Sequence, residues 1–261
     1  MYIGNSLLIV RRGCCIIKQS ILEFSRRVNT MKKHLELVAK SYDKGIDLGR
    51  KGIDSYQSLP PHITNDPNYP LYLKMRMNET LSDSGQKEIM EYLSPKKGMN
   101  FIDFGCCLNL MFQGYNEWPS TYYGVDISEK TIELLQEFVH KNNVTIGSLY
   151  CGSMHVTPYA ESFFDIGACI GSLEYFEKDF VKQAIAEAHR IVKPEGKYIL
   201  DIPDVGSPEF QITALIEDYL GRTDRYNISN NEFETILMPY FKVVKKEKMG
   251  PMIQYFLTCT K

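Results

Sequence analysis

The pattern of apolar and polar positions changes near Gly98. Upstream, Leu35, Val38, Tyr42 and Ile46 recur at intervals of three and four, which predicts a helix from Leu35 to about Tyr56. Gly45, Gly49 and Gly52 weaken it toward its end. The stretch from Ser58 to Leu73 follows, rich in proline and tyrosine. Its prolines, Pro60, Pro61, Pro67 and Pro70, argue against a regular element and for an ordered loop or lid. A helix is expected after Ser82 or Asp83, ending before Pro95, with Ile89, Met90 and Leu93 on its apolar face.

Downstream of Gly98, short apolar runs alternate with amphipathic ones. Met99 to Phe104 reads as a buried strand, Cys107 to Gln113 as a helix, and Thr121 to Val125 as a second strand. Ser128 is placed to cap a helix carrying Ile132, Leu135 and Val139, with Glu129 well set for the helix dipole. Val144 to Cys151 and Phe164 to Ile170 are the third and fourth strands. A helix from Asp179 to Val192 is stopped by Lys193-Pro194-Glu195-Gly196, and Lys197 to Ile202 is the fifth strand. This alternation predicts an α/β fold with a mostly parallel sheet. Phe241 to Lys246 and Met252 to Thr258 are strand-like and separated by a few residues around Gly250-Pro251. Parallel neighbours need a crossover of a dozen or more residues, so these two strands pair antiparallel if they pair at all.

Composition narrows the class. The 261 residues are 44% apolar and 24% charged, which suits one globular domain with a sizeable cap. The net charge of −2 carries no general footprint for nucleic acid, and none is expected as a partner. Lys242, Lys245, Lys246 and Lys248 read as a solvated strand face. The seven cysteines show no metal-ligand spacing, so no metal is expected and the thiols read as reduced in a cytoplasmic protein. No apolar run is long enough to span a bilayer. Ile3 to Val10 precedes Arg11 and Arg12, the reverse of a secretory signal, and residues 1–30 read as a dispensable extension.

The chemistry concentrates where the first two strands end. The first runs into Asp103-Phe104-Gly105-Cys106-Cys107-Leu108-Asn109 and the second into Gly124-Val125-Asp126. In a parallel α/β sheet, ligands bind at the carboxyl ends of the strands, and an acidic residue about 20 positions beyond the first turn is where a ribose-binding carboxylate belongs. Asp103 and Asp126 could also be ordinary capping residues; strand context and spacing together favour a nucleoside cradle. Gly105 lets the backbone approach the ligand with no Cβ in the way.

These segments resemble the class I S-adenosylmethionine-dependent methyltransferases of the small-molecule, type 11 kind, over about residues 82–261. FIDFGCCLN stands at the family's glycine loop, YYGVDIS at its ribose-binding strand, FFDIGACIGSLEYF at the fourth strand and RIVKPEGKYIL at the helix, turn and fifth strand. The resemblance implies a doubly wound, Rossmann-like seven-stranded sheet with helices on both faces and an antiparallel C-terminal strand between strands five and six. It implies S-adenosyl-L-methionine as cofactor, held by Asp103, Gly105, Cys107, Asn109, Asp126, Ile127, Ser153, Met154 and Ile170. Cys107 and Asn109 replace two family glycines, and Ser153 replaces a common aspartate that contacts the adenine amino group.

The implied reaction is direct methyl transfer to a small-molecule acceptor, in which alignment can carry much of the rate. Glu174 and Tyr175 are the catalytic candidates by family position; Glu174 stands equally as a cap of the next helix and Tyr175 as cleft wall. His155 lies near the expected adenine loop, where a structural role is favoured. Residues 31–81 are expected to cap the site, with Tyr56, His62, Tyr69, Tyr72 and Arg76 lining an acceptor pocket or packing under the loop. The altered glycines leave a second reading, a non-catalytic protein that keeps the fold for cofactor sensing or partner binding.

Overall fold

A computed structural model describes residues 29–77, 86–222 and 225–260. The proposed extension at 1–30 and the expected helix start at Ser82 or Asp83 therefore fall outside the described residues, apart from 29 and 30. Those two already belong to the first helix, α1, at 29–50.

Seven strands form one sheet: β1 Asn100–Phe104, β2 Thr121–Asp126, β3 Ser148–Cys151, β4 Phe164–Cys169, β5 Val192–Pro203, β6 Phe241–Met249 and β7 Met252–Cys259. Their order is 3-2-1-4-5-7-6. β1 to β5 are parallel; β7 runs antiparallel between β5 and β6, as the short link around Gly250 requires. Phe101, Ile102 and Phe104 of β1 are fully buried because β1 is central and covered on both faces. One face packs under α4 (Gln86–Leu93) through Ile89 and Leu93 and under α6 (Glu129–Asn142) through Ile132 and Leu135. The other packs under α7 (Lys178–Ile191) through Phe180, Ile185 and Ile191, and under α9 (Asn230–Leu237) through Phe233 and Leu237. The chain thus winds outward in both directions from the β1–β4 boundary, and that boundary is the switch point where such sheets bind ligands.

Several boundaries differ from the sequence expectation. The helix expected over Cys107–Gln113 is only α5, Asn109–Phe112, because Cys107 holds a left-handed backbone with φ of 41°. Residues 144–147 form the link between α6 and β3 rather than the start of β3. Asn143 is left-handed and the Val144 N–H bonds back to the Val139 carbonyl, a cap that satisfies the helix end. At Lys193-Pro194-Glu195-Gly196 the left-handed residue is Glu195, with φ of 60°. Gly196 is there for closeness instead: a Cβ would stand 2.7 Å from Val192 Cγ1 and 2.8 Å from the Lys193 carbonyl. The proline-rich stretch does hold regular structure, α2 (Pro61–Thr64) and α3 (Tyr69–Met77). Pro61 and Pro70 lie in first turns, where a missing N–H leaves no helix bond unmade. These helices pack on α8 (Pro208–Tyr219), burying Ile63, Tyr72 and Met75 against Ile212 and Ile216.

Helix α1 lies against the carboxyl edge of the sheet. The Ser128 hydroxyl, which caps α6 by accepting the Thr131 N–H, donates to Asp43 of α1 at 2.6 Å. Lys130 pairs with Asp47 beside it. The lysines of β6 are largely exposed, as expected, and pair with Glu234, Glu247, Asp204 and Glu209.

Candidate cofactor site

A cleft of about 240 Å³ opens at the carboxyl ends of four strands. Each contributes the residues just past its end: Gly105, Cys107 and Asn109 after β1, Asp126 and Ile127 around the end of β2, Gly152, Ser153 and Met154 after β3, and Ile170, Gly171 and Ser172 after β4. Eight of the nine residues proposed to hold a cofactor therefore meet on one wall.

Asp126 organises this wall. Its Oδ2 accepts the Cys107 N–H at 2.8 Å and its Oδ1 accepts the Ser128 N–H at 2.8 Å, so one carboxylate ties the β1 loop to the start of α6. Burial pushes its pKa up, and the two backbone N–H groups oppose that by stabilising the anion. A carboxylate oxygen accepts more than one hydrogen bond, so both keep capacity for a ligand diol.

The glycine loop is tight. Gly105 has φ of 63°, and a Cβ there would fall 2.0 Å from Ser172 Oγ, which excludes any side chain. Cys107 adopts the same left-handed region with a side chain, at a cost of about 1–2 kcal/mol. Burial and the neighbouring Asp126 push its thiol up to about 11, so it is protonated and a poor nucleophile at neutral pH.

Asp103 departs from the expectation of direct cofactor contact. It is fully buried and off the cleft wall. Its Oδ2 accepts the Tyr122 hydroxyl at 2.9 Å and the Asn109 amide at 3.2 Å, so it acts by fixing Asn109, which does face the cleft. Asp103 Oδ1 has no partner among the described residues, and burial raises the carboxyl pKa to about 7. Asp201 on β5, also buried and raised to about 7, accepts the N–H of Gly171 on the opposite lip.

The facing wall was not legible as such. Val38 and Tyr42 come from α1, and Tyr175, Phe176 and Phe180 from the turn after β4 and the start of α7. Tyr42 meets Tyr175 edge-to-face at 5.6 Å, and Phe176 stacks on Phe180 at 3.9 Å. Behind Tyr42 the Arg222 guanidinium lies 5.8 Å from the ring, donates to the Tyr56 hydroxyl at 2.9 Å and pairs with Glu217. Val38 and Tyr42 sit on the apolar stripe that predicted the helix, and periodicity does not distinguish a core from a cleft. Of the candidate acceptor-pocket residues, Tyr56, Tyr69 and Tyr72 pack with α8, Arg76 pairs with Asp54, and His62 meets Tyr219; none lines the cleft. Glu174 sits in the short turn Leu173–Tyr175 and does not cap α7, whose N-cap is Glu177. Its Oε1 lies beside Gly171, 3.9 Å from where a Cβ would stand.

Residues 102–200 match the family model described as a methyltransferase domain, of type 11. Among solved structures, the PH0226 protein of Pyrococcus horikoshii OT3 is 18% identical, with 80% of this chain and 100% of that one covered at a TM-score of 0.57. A geranyl diphosphate C-methyltransferase from Streptomyces coelicolor A3(2), crystallised with Mg2+, geranyl diphosphate and S-adenosyl-L-homocysteine, is 12% identical, with 87% and 97% covered at 0.60. The [4+2]-cyclase SpnF shares the fold at 13% identity and a TM-score of 0.53, with 69% and 80% covered. No curated protein matches the chain by sequence. Residues 102–200 thus match a methyltransferase domain, and the chain shares the fold of these solved structures, one of which holds S-adenosyl-L-homocysteine. The residues fit S-adenosylmethionine: a cradle that a Cβ would fill and a strand-end carboxylate with spare acceptor capacity.

Two expectations follow. Gly105→Ala destabilises by more than about 1 kcal/mol, because it adds both strain and a clash. Cys107→Gly stays within about 1 kcal/mol of the parent, since relief of left-handed strain offsets greater unfolded-chain freedom. Urea midpoints check both, and equal losses would refute the strain assignment. Asp103 ionises near pH 7 when folded and about 3 units lower when unfolded, so its contribution is full below about pH 4 and is lost as pH rises through about 7. Asp103→Asn therefore gains on the parent by a few kcal/mol, about 1.4 per pKa unit, between those limits. A difference that stays constant with pH would contradict the buried-acid assignment.

Proposed function

We propose that the chain is a methyltransferase that moves a methyl group from S-adenosylmethionine directly to a small-molecule acceptor. The carrying observation is the wall on which Asp126, the glycine loop and the β3 and β4 ends converge. In this reading Asp126 accepts hydrogen bonds from the ribose hydroxyls. Gly105, Cys107 and Asn109 cradle the amino-acid portion, with Asp103 holding Asn109 in place. Ile127, Ser153, Met154 and Ile170 take the adenine. When bound, the cofactor supplies an electrophilic methyl group on a sulfonium.

The chain's own part is alignment and exclusion of water. Tyr42 and Tyr175 form the wall opposite the glycine loop, and their rings present electron-rich faces that favour a cationic sulfonium. Tyr175 orients the acceptor, and Glu174 receives a proton where the acceptor must lose one. Helix α1 and the segment to residue 77 act as the cap: α1 closes the cleft with Val38 and Tyr42, and the Arg222–Tyr56–Glu217 cluster braces it. Among the described residues no helix is long and apolar enough to cross a membrane, and no cluster of potential ligands is arranged for a metal ion.

One observation favours a non-catalytic reading: Cys107 puts a side chain on the cleft wall at the loop. Calorimetry decides the shared premise. S-adenosylhomocysteine binds the parent, and Asp126→Ala weakens it at least about tenfold, the scale of one or two lost hydrogen bonds to a charged group. No binding at millimolar ligand, or binding unchanged by the substitution, overturns the site. Turnover in a screen of small acceptors then separates the enzyme from the binder.

A further inference from the structure

The cleft lining is chemically mixed. Asn109 and Gln113 give it polar groups at and after the glycine loop. Val38, Ile127, Met154, Ile170, Phe176 and Phe180 give it an apolar slot. A flat heterocycle attached to a ribose on Asp126 belongs in that slot, and its polar edge needs a partner there. Ser153, flanked by Gly152 and Met154 on the lining, carries a side-chain hydroxyl there.

That hydroxyl is already engaged. Ser153 Oγ lies 2.6 Å from His155 Nδ1. His155 is not on the cleft wall; it sits behind Ser153, tilted against the Phe180 ring at 5.1 Å between centroids. A serine hydroxyl has one hydrogen and two lone pairs, so its direction is set by its partner. When Nδ1 of a neutral imidazole accepts the hydrogen, both Ser153 lone pairs are left for a donor in the slot. When the imidazole is protonated, Nδ1 donates to Oγ, consumes a lone pair and turns the hydroxyl hydrogen outward.

We propose that His155 is a positioning residue that sets the hydrogen-bond polarity of Ser153, making the slot select a donor at the heterocycle edge, the 6-amino group of adenine, over an acceptor at the same place. This rests on the cofactor reading above. It also explains how serine can replace an acidic residue: a neutral histidine carrying its proton on Nε2 takes the Ser153 hydrogen at Nδ1 and leaves the hydroxyl to accept, as a carboxylate would. The groups facing His155 keep it neutral near pH 7. Burial lowers its pKa, and Glu187 of α7, the charged group that acts on it in the opposite sense, is itself held by Arg190 and Thr157. Phe180 adds no charge.

The test compares binding of S-adenosylhomocysteine with its 6-oxo analogue, S-inosylhomocysteine, by calorimetry at about pH 8 and about pH 5, either side of the imidazole range. Titrations that affect both ligands equally cancel in the ratio of dissociation constants. The parent favours the adenosyl ligand about tenfold at the higher pH, the scale of one hydrogen bond, and the preference collapses toward unity at the lower. His155→Asn, which keeps an acceptor near Nδ1 without titrating, retains the preference at both pH values. His155→Phe has a smaller preference that does not change with pH. A purely structural histidine would leave the ratio flat with pH in the parent, and that result overturns the proposal while leaving the cofactor site standing. A ratio that still shifts with pH in His155→Phe also overturns it. Failure of either ligand to bind the parent removes the cofactor reading and this one with it.

Discussion

The arrangement depends on one carboxylate. Asp126 ends β2 and accepts backbone N–H groups from the β1 loop at Cys107 and from the α6 cap at Ser128. Neither N–H has a backbone acceptor within its own element, so the carboxylate satisfies the loop and the helix start together. The constraint propagates in both directions. Through Cys107 it holds a loop whose backbone is left-handed at Gly105 and Cys107. Through Ser128, whose hydroxyl reaches Asp43, it reaches α1 and therefore the far wall of the cleft. A buried anion is costly unless several donors meet it, and the donors here are the backbone groups a cofactor loop must immobilise.

The cleft follows from where the sheet changes direction. Four consecutive strand ends each present two or three residues, so polar groups, a carboxylate and apolar side chains that the sequence scatters from Gly105 to Ser172 line one cleft. Two buried acids stand behind the wall, with Asp103 fixing Asn109 and Asp201 fixing the Gly171 N–H. Both have pKa values raised by burial to about 7, so the site's support responds to pH near neutrality.

The strands and the antiparallel ending could be read from the chain because they rest on short-range signals: apolar runs, the Ser128 cap, and a link too short for a parallel crossover; the place of β7 in the sheet and most of the near wall came from the family resemblance. What escaped reading depends on tertiary context. Val38 and Tyr42 carry the same helical period whether they face a core or a cleft. Pro61 and Pro70 look like breakers unless they are known to fall in first turns. Asp103 looked like a ligand-facing acid, but β1 is central, and its pleat turns the side chain to the face where Tyr122 and Asn109 meet it. The tyrosines of 56–72 pack on α8, which lies far along the chain and whose own pattern says nothing of them.

The most direct test of the central claim is a crystal structure of the full chain with S-adenosylhomocysteine. The account requires the ribose hydroxyls on Asp126, the adenine between Ile127, Met154 and Ile170, and the amino-acid end over Gly105 and Asn109. A ligand bound with its ribose away from Asp126, or in another part of the molecule, would contradict it.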